Sequence, residues 1–273
     1  MLTALQQILA NLGFRVDLAT VLVLFGLIFA RVSIALGMTP FLGGRSVSSK
    51  VKVGLAAVVS AILLSNLAPE NVGPMSTLLV MCLLVKELVI GATLGFFSQI
   101  VFHSVQMAGA VVDYGRGMSQ ATFFAPQLET NVSLLGQVQL QAALVLFLFL
   151  NGHLLFIRAL AKSFNDVPLL AFPALSDGTL GAMEQVARYT GQSLTIAVQL
   201  SAPALLTLFL VDVSFGILGR AASGLQAHRE SQPVKSLLGL GITLLALGFI
   251  FNRMPGYFAD LLEQVNQFMG HLR

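Results

Sequence analysis

Charge is what this chain has least of. Only 10% of its 273 residues are Asp, Glu, Lys or Arg, against about 25% in soluble globular domains. Polar side chains are what a soluble protein turns to water. With 56% hydrophobic residues and a mean hydropathy of +0.86, this chain would expose more apolar area than water tolerates, so lipid or apolar subunits must cover it. The shortage of charge excludes a water-soluble fold and points to an integral membrane protein. The formal net charge of +3 is carried by basic residues scattered between apolar runs, which speaks against a nucleic-acid surface. The single cysteine, Cys82, excludes an intrachain disulfide and reads as a packed thiol in an apolar run.

The motifs of enzyme chemistry are missing as well. His103, His153, His228 and His271 have no ligand-like spacing, and no H-E-x-x-H, Walker A or nucleophile-elbow pattern occurs. The "GRGM" at Gly115 lacks both the following lysine and the preceding strand of a phosphate loop. No metal, cofactor or catalytic residue is expected, and an enzyme is not the expected class. The N-terminal "MLTALQQILANLGFR" has no positive n-region, while Leu2, Leu5, Ile8, Leu9 and Leu12 recur at helical spacing. A retained amphipathic helix is expected there.

What is present is a series of long apolar runs. A spanning helix needs about 20 mostly apolar residues, and about six such runs occur. They are Leu18 to Met38, Val51 to Ala68, Met75 to Phe102, Leu140 to Leu160, Ser193 to Gly219 and Ser236 to Phe251. Turn residues separate them, as in "TPFLGGRS", "APENVGP" and "DVPLLAFPALSDG". No sustained period-two alternation competes. The expected fold is an all-α polytopic membrane protein. Arg45, Lys50 and Lys52 collect in the first connection and Arg220, Arg229 and Lys235 in the fifth, so both connections should face the cytoplasm and the termini the other side.

The third connection, residues 101–139, is longer than a turn requires. It holds Gly109, Gly115, Gly117, Phe123, Phe124 and Pro126 and few charges, a composition that favours a functional loop over disorder.

Against this apolar background the ionisable residues within the runs stand out: Arg31 in the first, Lys86 and Glu87 in the third, His153 in the fourth, Asp212 in the fifth. Each charge at a helix centre costs about 2.5 to 3.5 kcal/mol, so each should face protein or water. Neighbours on a helix point about 100° apart, which sends Lys86 and Glu87 toward different partners on other helices or other chains. One reading is an ion or proton path. The other is a set of pins that fix helix register, favoured here because His153 is the one histidine well inside a run. Pins that reach other chains would leave the isolated chain with uncompensated buried charge and therefore unstable. Gly91 and Gly95 form a G-x-x-x-G in the third run, and Gly216, Gly219, Gly239 and Gly241 mark the last two. They suit close helix packing, within the chain or between chains.

Read in order, several stretches resemble the FliR family of flagellar export-gate proteins, whose injectisome relatives form the SctT family. They are "RVSIALGMTPFLGGRSVSSKVKVGLA" from Arg31, "KELVIGATLGFFSQIVFHSVQMAGAVVDYGRGMS" from Lys86, "LNGHLLFIRALAKSFNDVPLL" from Leu150, "APALLTLFLVDVSFGILGR" from Ala202 and "PVKSLLGLGI" from Pro233. The "LNGHLL", "SF" and "P" succession resembles the flagellar branch more than the injectisome branch. The resemblance implies a subunit without bond-making chemistry, assembled with FliP-like and FliQ-like subunits into an export gate in the bacterial inner membrane, at the flagellar basal body. A FlhB-like protein lies beside the gate, and unfolded flagellar subunits pass through its centre. It implies a FliP-like part over residues 1–190 and a FliQ-like helical hairpin over residues 191–273. It further implies that the third connection contributes a pore plug, which on this chain contains Gly115, Gly117, Met118, Phe123 and Phe124. The alternative for the two phenylalanines is packing onto the core. Asp212 falls where the family has an acid that meets a basic group of a FliQ-like neighbour. Lys86, Glu87 and Arg31 are implied only as buried pairing groups. After Arg220 the chain departs from the family pattern, with "AASGLQAHRESQ". An ion or solute carrier and a purely structural membrane scaffold remain as alternatives.

Overall fold

Helices of very unequal length make up the computed structural model, which describes residues 18–43, 47–67, 76–117, 123–125, 130–173, 177–221 and 227–271. The amphipathic helix expected at the N-terminus lies outside the described residues. In chain order the elements are α1 (Leu18–Met38), α2 (Pro40–Gly43), α3 (Ser49–Leu67), α4 (Thr77–Gly115), β1 (Phe123–Ala125), β2 (Thr130–Val132), α5 (Leu134–Phe149), α6 (Gly152–Asp166), α7 (Asp177–Ala221) and α8 (Ala227–His271). The architecture is the all-α membrane fold expected from composition. Among the described residues, Ala19–Met38, Ser49–Asn66, Thr77–Gly115 and Met183–Ala221 are long and apolar enough to cross a membrane, and two bent pairs raise the possible spans to 6.

Four boundaries differ from the hydropathy reading, the plainest being the fifth run, expected from Ser193, whose helix α7 starts at Asp177. The third run was expected to end at Phe102, yet α4 continues to Gly115. Polarity rises after Phe102, but Val101, Val105, Ala108 and Val112 stay buried at helical spacing, and it is periodicity that sustains a helix. The helix stops where Gly117 takes a φ of +72°, a left-handed conformation common at helix C-termini. The long third connection is thereby shortened. Within it β1 and β2 pair antiparallel, Phe123 with Val132, Phe124 with Asn131 and Ala125 with Thr130. Strands of three residues are too short to announce themselves by alternation.

The fourth run breaks into α5 and α6. Leu150 N donates to Leu146 O at 2.9 Å and closes α5, then Asn151 adopts a φ of +58°. Asn tolerates that region better than other side chains. Gly152 follows because a Cβ there would come within 2.2 Å of the Phe147 ring. The "LNG" of the sequence is therefore a helix-breaking device. The last run belongs to α8, which starts upstream of it and takes in Lys235.

The chain divides into two compact units. The first comprises Met1–Phe96, Ile157–Leu180 and Gln267–Arg273, and the second Phe97–Phe156 and Gly181–Asn266. In the first, α1 packs against α3. Leu24, Leu27, Ile28, Arg31, Val32 and Ala35 of α1 are all buried. Pro40 ends this helix by disfavouring the helical conformation at the preceding residue, and Thr39 Oγ1 donates to Leu36 O at 2.7 Å. Gly91 and Gly95 serve packing within the chain. A Cβ at Gly91 would sit 2.4 Å from the Arg31 carbonyl oxygen, and one at Gly95 would sit 2.6 Å from Met38 Cβ. In the second unit Val112, Leu135, Ala204 and Leu208 form a buried cluster with Ile242 against it. Phe102, Phe147 and Phe258 pack edge-on or tilted against one another with centroids 4.9 to 5.7 Å apart. Cys82, expected to be packed, is exposed on α4.

Candidate functional site

Arg31, Lys86 and Glu87 come together in the first unit. Arg31 and Glu87 are completely buried, so their desolvation, several kcal/mol per ion in real proteins, must be offset by contacts. Arg31 Nε donates to Glu87 Oε2, and Nη2 donates to Glu87 Oε1 at 3.0 Å. Nη1 donates to Ser163 O at 2.9 Å and to Ser163 Oγ at 3.1 Å, and Nη2 also donates to Val167 O at 3.0 Å. A guanidinium has five N–H donors, and these contacts provide an acceptor for each. The guanidinium carbon also lies 4.1 Å from the centroid of the Phe164 ring, a cation–π distance.

Lys86 completes the cluster. Its Nζ donates to the carbonyls of Pro168, Leu169 and Ala171 at 2.8, 2.8 and 3.0 Å, and lies 2.8 Å from Glu87 Oε1. One carboxylate thus faces two cations, and the excess positive charge is met by backbone oxygens. Ser163 O belongs to the last turn of α6, where orphan carbonyls carry partial negative charge and favour a cation. As expected, Lys86 and Glu87 reach different partners, the carbonyls after α6 and Arg31 of α1; what the helix geometry did not suggest is that the long lysine stem also curls back to its neighbour. Of the two places where partners were expected, other helices or other chains, these three groups find theirs within the chain. Other helices of the same chain match these three groups, so uncompensated charge is no reason for the isolated chain to fail.

Asp212 belongs to the second unit. It forms an ion pair with Lys235, whose side chain is 8% exposed while that of Asp212 is 50% exposed. Lys235, read from sequence as a charge flanking a run, is a buried α8 residue that neutralises Asp212 of α7.

Of the residues expected in a plug, Gly115 ends α4 and Gly117 forms the turn after it. A Cβ at Gly115 would lie 3.1 Å from a Leu208 methyl, and one at Gly117 would lie 2.4 Å from Gln232 Oε1. Both positions are tightly approached by α7 or α8. Met118 lies outside the described residues. Phe123 and Phe124 are described by their backbone pairing in β1; their side chains lie outside the description.

The sequence reading missed a second buried ion pair, Asp113 and Arg116, each 4% exposed. Arg116 Nη1 donates to Asp113 Oδ1 at 2.9 Å. Asp113 Oδ2 accepts from Ser133 Oγ at 2.6 Å and from Leu135 N at 2.8 Å. Ser133 is the N-cap of α5, its Oγ accepting from Gly136 N at 3.0 Å, so Asp113 adds a carboxylate where the helix N-terminus favours one. The available signal was the i,i+3 spacing of opposite charges in "DYGR", obscured because that stretch was read as loop.

Much of the exposed surface is apolar. Val51, Val53, Val58 and Ile62 of α3 and Leu206 and Phe209 of α7 are each more than half exposed. The 45 residues of α7 make a helix about 68 Å long, against a hydrocarbon core of about 30 Å. The geometry therefore offers ion pairs held inside the chain, a tightly fastened third connection, and apolar faces that need a cover.

The chain matches the family model described as "Bacterial export proteins, family 1" over residues 22–261. It is 27% identical over 237 residues to the flagellar biosynthetic protein FliR of Pectobacterium carotovorum subsp. carotovorum, covering 87% of each chain. It is 31% identical over 216 residues to the FliR of Escherichia coli (strain K12), covering 79% of this chain and 80% of that one. With the Yop proteins translocation protein T of Yersinia pestis it shares 30% identity over 159 residues, 58% of this chain and 60% of the other. With the family model covering most of the chain, the chain belongs to the bacterial export proteins of family 1, the FliR/SctT family.

Proposed function

We propose that the chain is a subunit of the flagellar type III protein export gate in the bacterial inner membrane. There it surrounds, with FliP-like and FliQ-like subunits and beside a FlhB-like protein, a path for unfolded flagellar proteins. The observation that carries this reading is the family match, which runs through nearly the whole chain and whose flagellar members align over most of their own length. An injectisome gate is the second reading, favoured by the translocation protein T of Yersinia pestis, which aligns over a shorter share.

Residues 1–190 would play the FliP-like part and residues 191–273 the FliQ-like hairpin, with the junction inside α7 so that one continuous helix serves both. A helix about twice as long as a bilayer core is thick must run on into water or against protein, which suits packing among gate subunits. Asp212, half exposed beside Lys235, keeps part of its carboxylate available to a basic group of a FliQ-like neighbour. The plug would be the connection from Gly115 through Phe124, where apolar side chains at a constriction exclude water and ions while the gate is closed. The reading asks for no cofactor and no chemical step.

Reconstituted complexes carrying Phe123→Ala together with Phe124→Ala test the plug. They should leak ions where the unaltered complex does not, and unchanged conductance would remove the assignment. Failure of the chain to co-purify with FliP-like and FliQ-like chains would remove the gate itself.

A further inference from the structure

Among the described residues, α3 is the least covered of the four unbroken helices able to cross a membrane. Of its spanning window 11% is buried, against 44% in α1, 39% in α4 and 39% in α7. Its 19 residues extend about 28 Å, close to the hydrocarbon thickness of about 30 Å. The helix packs against α1, and Ala56 and Ser60, one turn apart, are buried on it. Lys50, Gly54, Val58, Ala61 and Ser65 recur at helical spacing on the opposite side and are all exposed. A Cβ at Gly54 would meet nothing within 4 Å, so that side stands open.

We propose that this open side of α3 faces lipid, and that Lys50, with the hydroxyls of Ser48 and Ser49 beside it, binds the headgroup of an anionic phospholipid in the leaflet at that end of the helix. The placement of charge favours lipid over another polypeptide. In α1, α4 and α7 an ionisable group sits within the apolar run and is met by a protein group, as Arg31, Glu87 and Asp212 are. In α3 no ionisable residue follows Lys52, and both lysines stand in the first turn. A helix with its charge confined to one end leaves the hydrocarbon undisturbed, and a lysine there extends its ammonium to headgroup level. Basic side chains in a first turn oppose the helix dipole, so these lysines do not serve the helix itself. No Asp or Glu occurs between Leu18 and Pro69, and the exposed residues at this end, Ser48, Ser49 and Lys50, offer hydroxyl and ammonium donors that complement a phosphate.

The chain has no tryptophan, so a single introduced one reports on its own surroundings. The test is fluorescence quenching of Val53→Trp and Val58→Trp, both at positions more than half exposed, in the full chain reconstituted into bilayers with brominated phosphatidylcholine or brominated phosphatidylglycerol. Both lipids should quench Val58→Trp, and a tryptophan there that neither quenches overturns the lipid-facing surface. At Val53→Trp, one turn from Lys50, phosphatidylglycerol should bind about fivefold more tightly than phosphatidylcholine, the scale of one lysine at an anionic surface. Adding Lys50→Gln should lower that preference to about twofold or less. Equal affinities with Lys50 in place, or a preference that Lys50→Gln leaves undiminished, overturns the headgroup assignment. Should Val53→Trp fail to reconstitute, Val51→Trp, also more than half exposed, takes its place under the same criteria. In cells, a photoreactive benzoylphenylalanine at Val58 should form no adduct with another protein chain. Such an adduct would set a polypeptide where lipid is expected and overturn the proposal whatever the quenching.

Discussion

Replacing Glu87 by Gln removes the one anion from a cluster of three charges. The side chain keeps its shape, so packing is not disturbed. What changes is that Arg31, with no exposed surface, loses a two-point carboxylate partner, and Lys86 Nζ loses the Glu87 oxygen 2.8 Å away. The amide NH2 of Gln must also point at a donor of Arg31 or Lys86. Lys86 retains three carbonyl acceptors, and the penalty therefore falls mainly on Arg31. Removing one partner of a buried pair costs about 3 to 5 kcal/mol, whereas replacing both by apolar residues is often neutral. Glu87→Gln, Glu87→Met and Arg31→Met should each cost on that scale, while the double variant Arg31→Met/Glu87→Met should cost clearly less than the sum of the two Met variants, with a coupling of about 2 kcal/mol or more. The assay is the midpoint temperature of aggregation of the tagged chain in detergent-solubilised membranes, compared across the five proteins. Additive shifts, or a Glu87→Gln protein that resists heat as the unaltered chain does, would refute the argument that this pair is a desolvated unit inside the chain.

Two further predictions follow from close approaches. Gly91→Ala forces a Cβ against the Arg31 carbonyl, while a Cβ at Gly54 of α3 meets nothing within 4 Å. Gly91→Ala should therefore lower the aggregation midpoint, at an overpacking cost of about 1 to 3 kcal/mol, while Gly54→Ala should leave it unchanged or raise it through helix propensity of about 1 kcal/mol. At the α5–α6 break, Asn151→Gly should be tolerated and Asn151→Val should be destabilising by about 1 to 3 kcal/mol, because a β-branched side chain opposes a φ of +58°; equal midpoints for the two would deny that the left-handed turn is a constraint.

Composition and hydropathy determined much of this protein by themselves. A chain so poor in charge must bury its surface in lipid or protein, and runs of about 20 apolar residues can satisfy their backbone in a membrane only as helices or closed barrels, with the pattern here favouring helices. Arg31, Lys86, Glu87 and Asp212 were identifiable as special because a charge among apolar neighbours is expensive wherever the chain goes. Their partners were not legible. Lys86 is held by the carbonyls of Pro168, Leu169 and Ala171, and a backbone oxygen has no signature in sequence. Asp113 and Arg116 were hidden for a related reason. Hydropathy falls after Phe102, so the segment read as loop, whereas packing of Val105, Ala108 and Val112 carries the helix on and places the pair beneath the N-terminus of α5. Sequence sets which groups cannot be left alone in an apolar medium; the tertiary structure decides which oxygen or nitrogen meets them, because that depends on distances across helices far apart in the chain.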